Sequence, residues 1–174
     1  MENRISQLVG FLQQNASETN PHRSLIPDMP SPTLICVWND PVSEQLLDDF
    51  FKDNNWLMPE DYKEFLLKCN GGILFKQPKF GGGTELLSLE KIKAISKTYC
   101  EQIPSHCFPI AWTDHRIGAI LIDSNKIRSN EAPYLYFLDA MDHIEDAIPI
   151  PLTFTEFIER IIICQGAEFW HWKS

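Results

Sequence analysis

Apolar residues fall at Ile5, Leu8, Val9 and Leu12 with polar residues mostly between them. This is the i, i+3, i+4, i+7 spacing of one helical face, and it predicts a short amphipathic helix over residues 4–14. The pattern breaks over residues 15–32. Pro21, Pro27, Pro30 and Pro32 interrupt a helix and cannot donate to a strand ladder, so an extended arm is expected there. Such an arm leaves the first helix two destinations, its own domain or a partner.

Residues 33–38 (Thr-Leu-Ile-Cys-Val-Trp) are β-branched and aromatic and read as a strand closed by Asn39-Asp40-Pro41. Asp40 is the expected N-cap of a helix over 42–53 that buries Leu46, Leu47, Phe50 and Phe51. A second helix follows over 59–69. Pro59 suits its first turn, Glu60 and Asp61 complement the positive end of its dipole, and Tyr62, Phe65, Leu66 and Cys69 form its apolar face. Asn70-Gly71-Gly72 ends it through left-handed residues. Met58 is a poor cap, so another acceptor is expected at that helix start.

A short strand over 73–75 leads into Lys76-Gln77-Pro78-Lys79-Phe80-Gly81-Gly82-Gly83-Thr84, a mobile loop on composition. Ser88 opens a short helix carrying Leu89, Ile92 and Ile95. Strands follow over 108–112, 117–123 and 134–138, with a short one near 147–148. Residues 113–116 make a hairpin connection, and 123–133 a polar loop. A last helix starts on a capping box, Thr153 with Glu156, and buries Phe154, Phe157, Ile158, Ile161 and Ile162 before Gly166. Segregated helices and meandering strands indicate an α+β fold, because repeated parallel crossovers would need regular strand–helix alternation. A length of 174 residues fits one domain.

Charge narrows the function. With 24 acidic against 15 basic side chains the formal net charge is −9, and the pI is near 4.9. Direct nucleic-acid binding rests on a basic surface, and anionic membranes repel such a chain, so both are excluded as partners. No apolar run is long enough to span a membrane, and a cytoplasmic protein is expected. Five cysteines without a CxxC pair argue against a disulfide framework and a zinc ribbon, and read as reduced, mostly buried thiols.

Candidate chemistry is sparse. Cys107 adjoins His106, but neighbours on a strand point to opposite faces, which disfavours a Cys–His nucleophile. The five histidines are scattered singly and no HExxH is present, so neither a metal nor another cofactor is expected. The acidic run over 139–146 lacks the glycine and terminal glutamate of an EF-hand and reads as a solvated loop. Gly81-Gly82-Gly83-Thr84 has no phosphate-binding lysine. Trp56 is expected beneath the 59–69 helix, whereas Trp170 and Trp172 suit a docked tail or a partner contact equally.

The stretch Trp56-Leu57-Met58-Pro59-Glu60-Asp61-Tyr62-Lys63-Glu64-Phe65-Leu66-Leu67-Lys68-Cys69-Asn70-Gly71-Gly72 resembles the signature of the SUKH superfamily of SMI/KNR-like proteins. Three further blocks resemble it in order: Leu86-Leu87-Ser88-Leu89-Glu90-Lys91-Ile92, then Phe108-Pro109-Ile110-Ala111-Trp112 with Gly118 and Leu121-Ile122-Asp123, then Phe154-Thr155-Glu156-Phe157-Ile158. Met58 replaces a usual leucine, and the 112–118 hairpin departs from the family's tighter one. The resemblance runs from about Val42 to Ile163. It divides the chain into residues 1–32, a helix and Pro-rich arm, and 33–174, the SUKH-like domain. It implies a mainly antiparallel sheet partly wrapped by helices, no catalytic residues, and for most bacterial members an immunity role against a polymorphic or contact-dependent toxin.

On that implication the expected partner is a cognate toxin domain, a basic nuclease suited to an acidic binder, and the expected contacts are Glu85, Asp114, Asp139, Asp142, Glu145 and Asp146. The alternatives are a regulatory scaffold that docks partners through its first helix and arm, and a small hydrolase using Cys107 or unassigned carboxylates. Oligomeric state is not legible in the sequence.

Overall fold

In a computed structural model that describes residues 3–24 and 33–172, the apolar runs pair into one antiparallel meander. Its strands are β1 (His22–Arg23), β2 (Thr33–Trp38), β3 (Gly72–Lys76), β4 (Thr84–Leu86), β5 (Cys107–Thr113), β6 (Gly118–Asp123), β7 (Leu135–Asp139) and β8 (Ile148–Ile150), neighbouring one another in chain order. The α+β expectation holds. Pro109 is accommodated within β5 because the register shifts by one residue between Pro109 and Ala111, a bulge where the missing amide costs no ladder bond.

Alternation along the strands separates two faces. Leu74, Leu86, Phe108, Ile110, Ile120, Ile122, Leu135 and Phe137 point to the larger core. There they meet α1 (Arg4–Asn15), α2 (Glu44–Asp53), α3 (Glu60–Lys68) and α6 (Phe154–Ile163). Phe51, Tyr62, Phe65, Phe108 and Phe154 form an aromatic cluster at its centre, with edge-on contacts of 5.2 Å for Phe51–Phe108 and 4.9 Å for Tyr62–Phe154. The other face carries a smaller core of Ile103, Cys107, Ala119, Leu121 and Leu138, covered by Ile95 of α4 (Leu89–Thr98) and by Tyr99, Trp112, Ile144 and Ala147, while Leu89 and Ile92 of α4 belong to the larger core.

The first helix packs in cis. Asn3 caps it, with the Ser6 amide donating to Asn3 Oδ1 at 2.9 Å, and Ile5, Val9 and Leu12 are buried against α3 and α6. Residues 16–24 are not the extended arm that the prolines suggested. Ser17 and Asn20 close a turn, the Cys36 amide donates to the Ala16 carbonyl at 2.6 Å, and His22–Arg23 pairs with Thr33–Leu34. Pro21 is tolerated because it precedes a two-residue edge strand. The prolines at 27, 30 and 32 lie outside the described residues.

Other expectations shift locally. Ser43, not Asp40, caps α2, and Leu46 faces solvent while Leu47 and Phe51 are buried. No side chain caps α3; the Pro59 carbonyl accepts the Tyr62 and Lys63 amides. The supposed mobile loop after β3 is a hairpin: the Gln77 carbonyl accepts the Gly81 amide at 2.8 Å, and the chain returns as β4. The polar loop after β6 contains a short helix, α5 (Ser124–Ser129), capped by Asp123. Trp170 docks against Phe137 and Phe157, whereas Trp172 is exposed.

Candidate partner-binding surface

The β3–β4, β5–β6 and β7–β8 connections leave the sheet at the same end, because successive connections of an antiparallel meander alternate between its two ends. Two are fastened to each other, since the Ala140 amide donates to the Ile117 carbonyl at 2.9 Å. The tail after α6 joins them. Glu168 accepts the amides of His115 (3.2 Å) and Arg116 (3.2 Å), which ties the β5–β6 connection to the segment that carries Trp170 and Trp172. Burial pushes the Glu168 carboxyl up, and those two amides partly offset the shift. Burial, with Arg116 and His115 nearby, holds the His171 imidazole below its ordinary range.

Large apolar side chains stand exposed at this end. Met141 is 89% exposed, Phe80 85%, Trp172 62% and Ile117 60%; of the five most exposed among the described residues only Ile163, at the close of α6, belongs elsewhere. At the same end are Asp114 in the β5–β6 turn, Asp139 at the close of β7, and Asp142, Glu145 and Asp146 in the β7–β8 connection. Arg116 is the one fixed cation within those two connections. Exposed apolar anchors ringed by charge have the anatomy of a protein contact.

Five of the six acids expected from the sequence therefore collect at one end. Glu85 does not. It lies within β4 on the smaller-core face and pairs with Lys91 of α4, so its charge is locally neutralised. Trp172 was already a candidate contact in the sequence, whereas Phe80, Ile117 and Met141 were missed because isolated exposed residues carry no periodic signal; only the meander's connectivity places them at one end of the sheet.

A shallow groove of about 370 Å³ lies beside α4, lined by Val37, Asn39, Asn70, Ile73, Glu85 and Lys91. Most of its polar side chains are committed to structure. Asn39 Nδ2 donates to the Asn70 carbonyl at 2.8 Å, Asn70 Oδ1 accepts the Leu89 amide at 3.0 Å, and Glu85 holds Lys91.

The strand argument that separated His106 from Cys107 fails. His106 precedes β5, so the alternation does not apply to it, and Asp123 is the register partner of Cys107; one donor atom from each of the three lies within 4.8 Å of the others. Burial and the Asp123 charge push the Cys107 thiol up to about 12.

Among the described residues no helix is long and apolar enough to cross a membrane. The sequence profile of the SMI1 / KNR4 family (SUKH-1) matches residues 41–160. The uncharacterised protein YnaB of Bacillus subtilis (strain 168) is 34% identical over 133 residues, which cover 76% of this chain and 85% of that one. YobM of the same organism, likewise uncharacterised, is 26% identical over 144 residues, covering 80% of this chain and 76% of its own.

Proposed function

From the premise that the chain belongs to the SMI1/KNR4 family (SUKH-1), we propose that it is a cytoplasmic, non-enzymatic immunity protein. It neutralises a cognate toxin domain, a basic nuclease, by direct contact. The observation that carries this reading is the end of the sheet where Met141, Phe80, Ile117 and Trp172 stand among Asp114, Asp139, Asp142, Glu145 and Asp146. Apolar anchors supply the binding free energy, and the surrounding carboxylates accelerate capture. Complementary charge raises association from roughly 10⁵–10⁶ to as much as about 10⁸–10⁹ M⁻¹s⁻¹ at low salt. Fast capture is what a cell needs against a nuclease made in its own cytoplasm.

The scaffold alternative gives the docking role to the first helix. That reading loses support because Ile5, Val9 and Leu12 are buried in the core. The deciding experiment is co-expression with a candidate toxin domain taken from the adjacent reading frame. Restored growth together with a 1:1 complex on a sizing column is the expected result; toxicity without a complex overturns it.

A further inference from the structure

We propose that His106, Cys107 and Asp123 bind a divalent transition-metal ion of the zinc class, at the opposite end of the sheet from the partner surface. Cys107 opens β5 and Asp123 closes β6, and the two are register partners, so their side chains share the smaller-core face. His106, just before the strand, is free of that alternation and brings its imidazole to the same point. The three donor atoms lie within 4.8 Å of one another. His106 Nε2 and Asp123 Oδ2 are 4.0 Å apart, too far for a hydrogen bond and near the roughly 3.4 Å edge between ligands about 2.1 Å from a tetrahedral zinc. The His106 side chain is 42% exposed, which leaves it room to close that difference by rotation.

The surroundings hold the donors in place. Asp123 Oδ1 accepts the Asn125 and Lys126 amides at 2.8 and 3.2 Å, which orients the carboxylate and leaves Oδ2 toward His106. The His106 carbonyl accepts the Ser124 amide at 2.9 Å, and Ser124 Oγ accepts the Leu57 amide at 2.6 Å. Trp56 Nε1 donates to the Ser105 carbonyl at 2.8 Å, and the Cys107 amide to the Pro104 carbonyl at 2.8 Å. The backbone of both halves is thus fixed from several directions, as ligand-orienting shells are. One thiolate, one imidazole and one carboxylate suit zinc or cobalt; calcium and magnesium would demand an all-oxygen set. Binding releases the thiol proton to solvent, and the fourth tetrahedral position is taken by water beside the half-exposed His106.

The test is titration of the full chain with cobalt(II) at mildly alkaline pH, followed by displacement with zinc. We expect a near-ultraviolet thiolate-to-cobalt band that saturates at one equivalent and disappears on adding zinc. Cys107→Ser abolishes the band. Asp123→Asn, which keeps an α5 cap, and His106→Gln each weaken affinity about tenfold or more. No band with cobalt in excess, or a band unchanged in Cys107→Ser, overturns the proposal. If Cys107→Ser misfolds by circular dichroism, wild-type cobalt affinity in both other variants overturns it equally. Partner binding is not used as a readout, so this result stands apart from the immunity reading.

Discussion

Asp61 in the first turn of α3 accepts both the amide and the hydroxyl of Thr155 in the first turn of α6, at 2.8 and 2.9 Å. The first amides of α6 are thereby shared among three elements: Phe154 donates to the Tyr134 hydroxyl, Thr155 to Asp61, and Glu156 to Thr153 Oγ1. Helix starts leave four amides without intrahelical partners, so these contacts settle how α6 lies on α3 and β7. Asp61→Ala should lower the unfolding free energy by about 1–2 kcal/mol. A cycle with Thr155→Val tests the link, because independent sites add to within about 0.3–0.5 kcal/mol by denaturant melting. Simple additivity would dissolve the clamp.

Tyr62 is buried among Phe51, Phe65, Phe108 and Phe154, and its hydroxyl has no hydrogen-bond partner among the described residues. An unsatisfied buried hydroxyl is a cost, so removing it while keeping the ring should not destabilise. Tyr62→Phe is expected to leave the melting midpoint unchanged or raise stability by about 1 kcal/mol. A loss of that size would reveal a partner for the hydroxyl.

Gly71 and Gly81 share a left-handed φ of +78°, yet their surroundings differ. A Cβ on Gly71 would lie 2.4 Å from the Leu86 carbonyl oxygen, whereas one on Gly81 meets nothing within 4 Å. Gly81→Ala should cost only the left-handed strain, about 1–2 kcal/mol. Gly71→Ala adds overpacking against a strand backbone and should cost about 2–5 kcal/mol in total. Equal losses would show that the contact with Leu86 is relieved cheaply.

The partner surface predicts a split between rates. If the proposed partner is a basic toxin domain, reversing Asp142, Glu145 and Asp146 to lysine should slow its association about tenfold or more at low salt and flatten the salt dependence. Met141→Ala or Ile117→Ala should instead speed dissociation, by about thirtyfold where the residue is an anchor worth about 2 kcal/mol. Surface plasmon resonance at two ionic strengths separates the effects. Unchanged kinetics in all of these variants would move the interface elsewhere.

Thiol labelling follows burial. Cys36, Cys69 and Cys107 are buried, and desolvation pushes their thiols up to about 11, 12 and 12. Alkylation needs the thiolate, so at neutral pH these three should resist iodoacetamide until the chain unfolds. Exposed Cys100 should react first and half-buried Cys164, also pushed up by burial, more slowly. Peptide mass spectrometry reads the order; early labelling of Cys69 would indicate local opening of the α3 end.

The sequence by itself determined what depends on neighbours a few residues apart. The amphipathic spacing of α1, the Thr153–Glu156 capping box, the Ser88 cap and the four ordered blocks that resemble SUKH proteins were all legible, because helix faces and caps repeat at fixed short intervals. The acidic run over 139–146 was legible too, but not its company. Only the tertiary structure decided that residues 16–24 pack back on the sheet, that the glycine-rich segment is a hairpin, and that Asp61 caps a helix 94 residues away. It also decided that Phe80, Ile117 and Met141 share one end with the acids, and that His106 reaches Cys107 and Asp123. Each depends on strand register and antiparallel return, which bring together residues far apart in the chain. Composition could give the sign of the −9 charge, whereas its position relative to exposed apolar side chains is a property of the folded sheet.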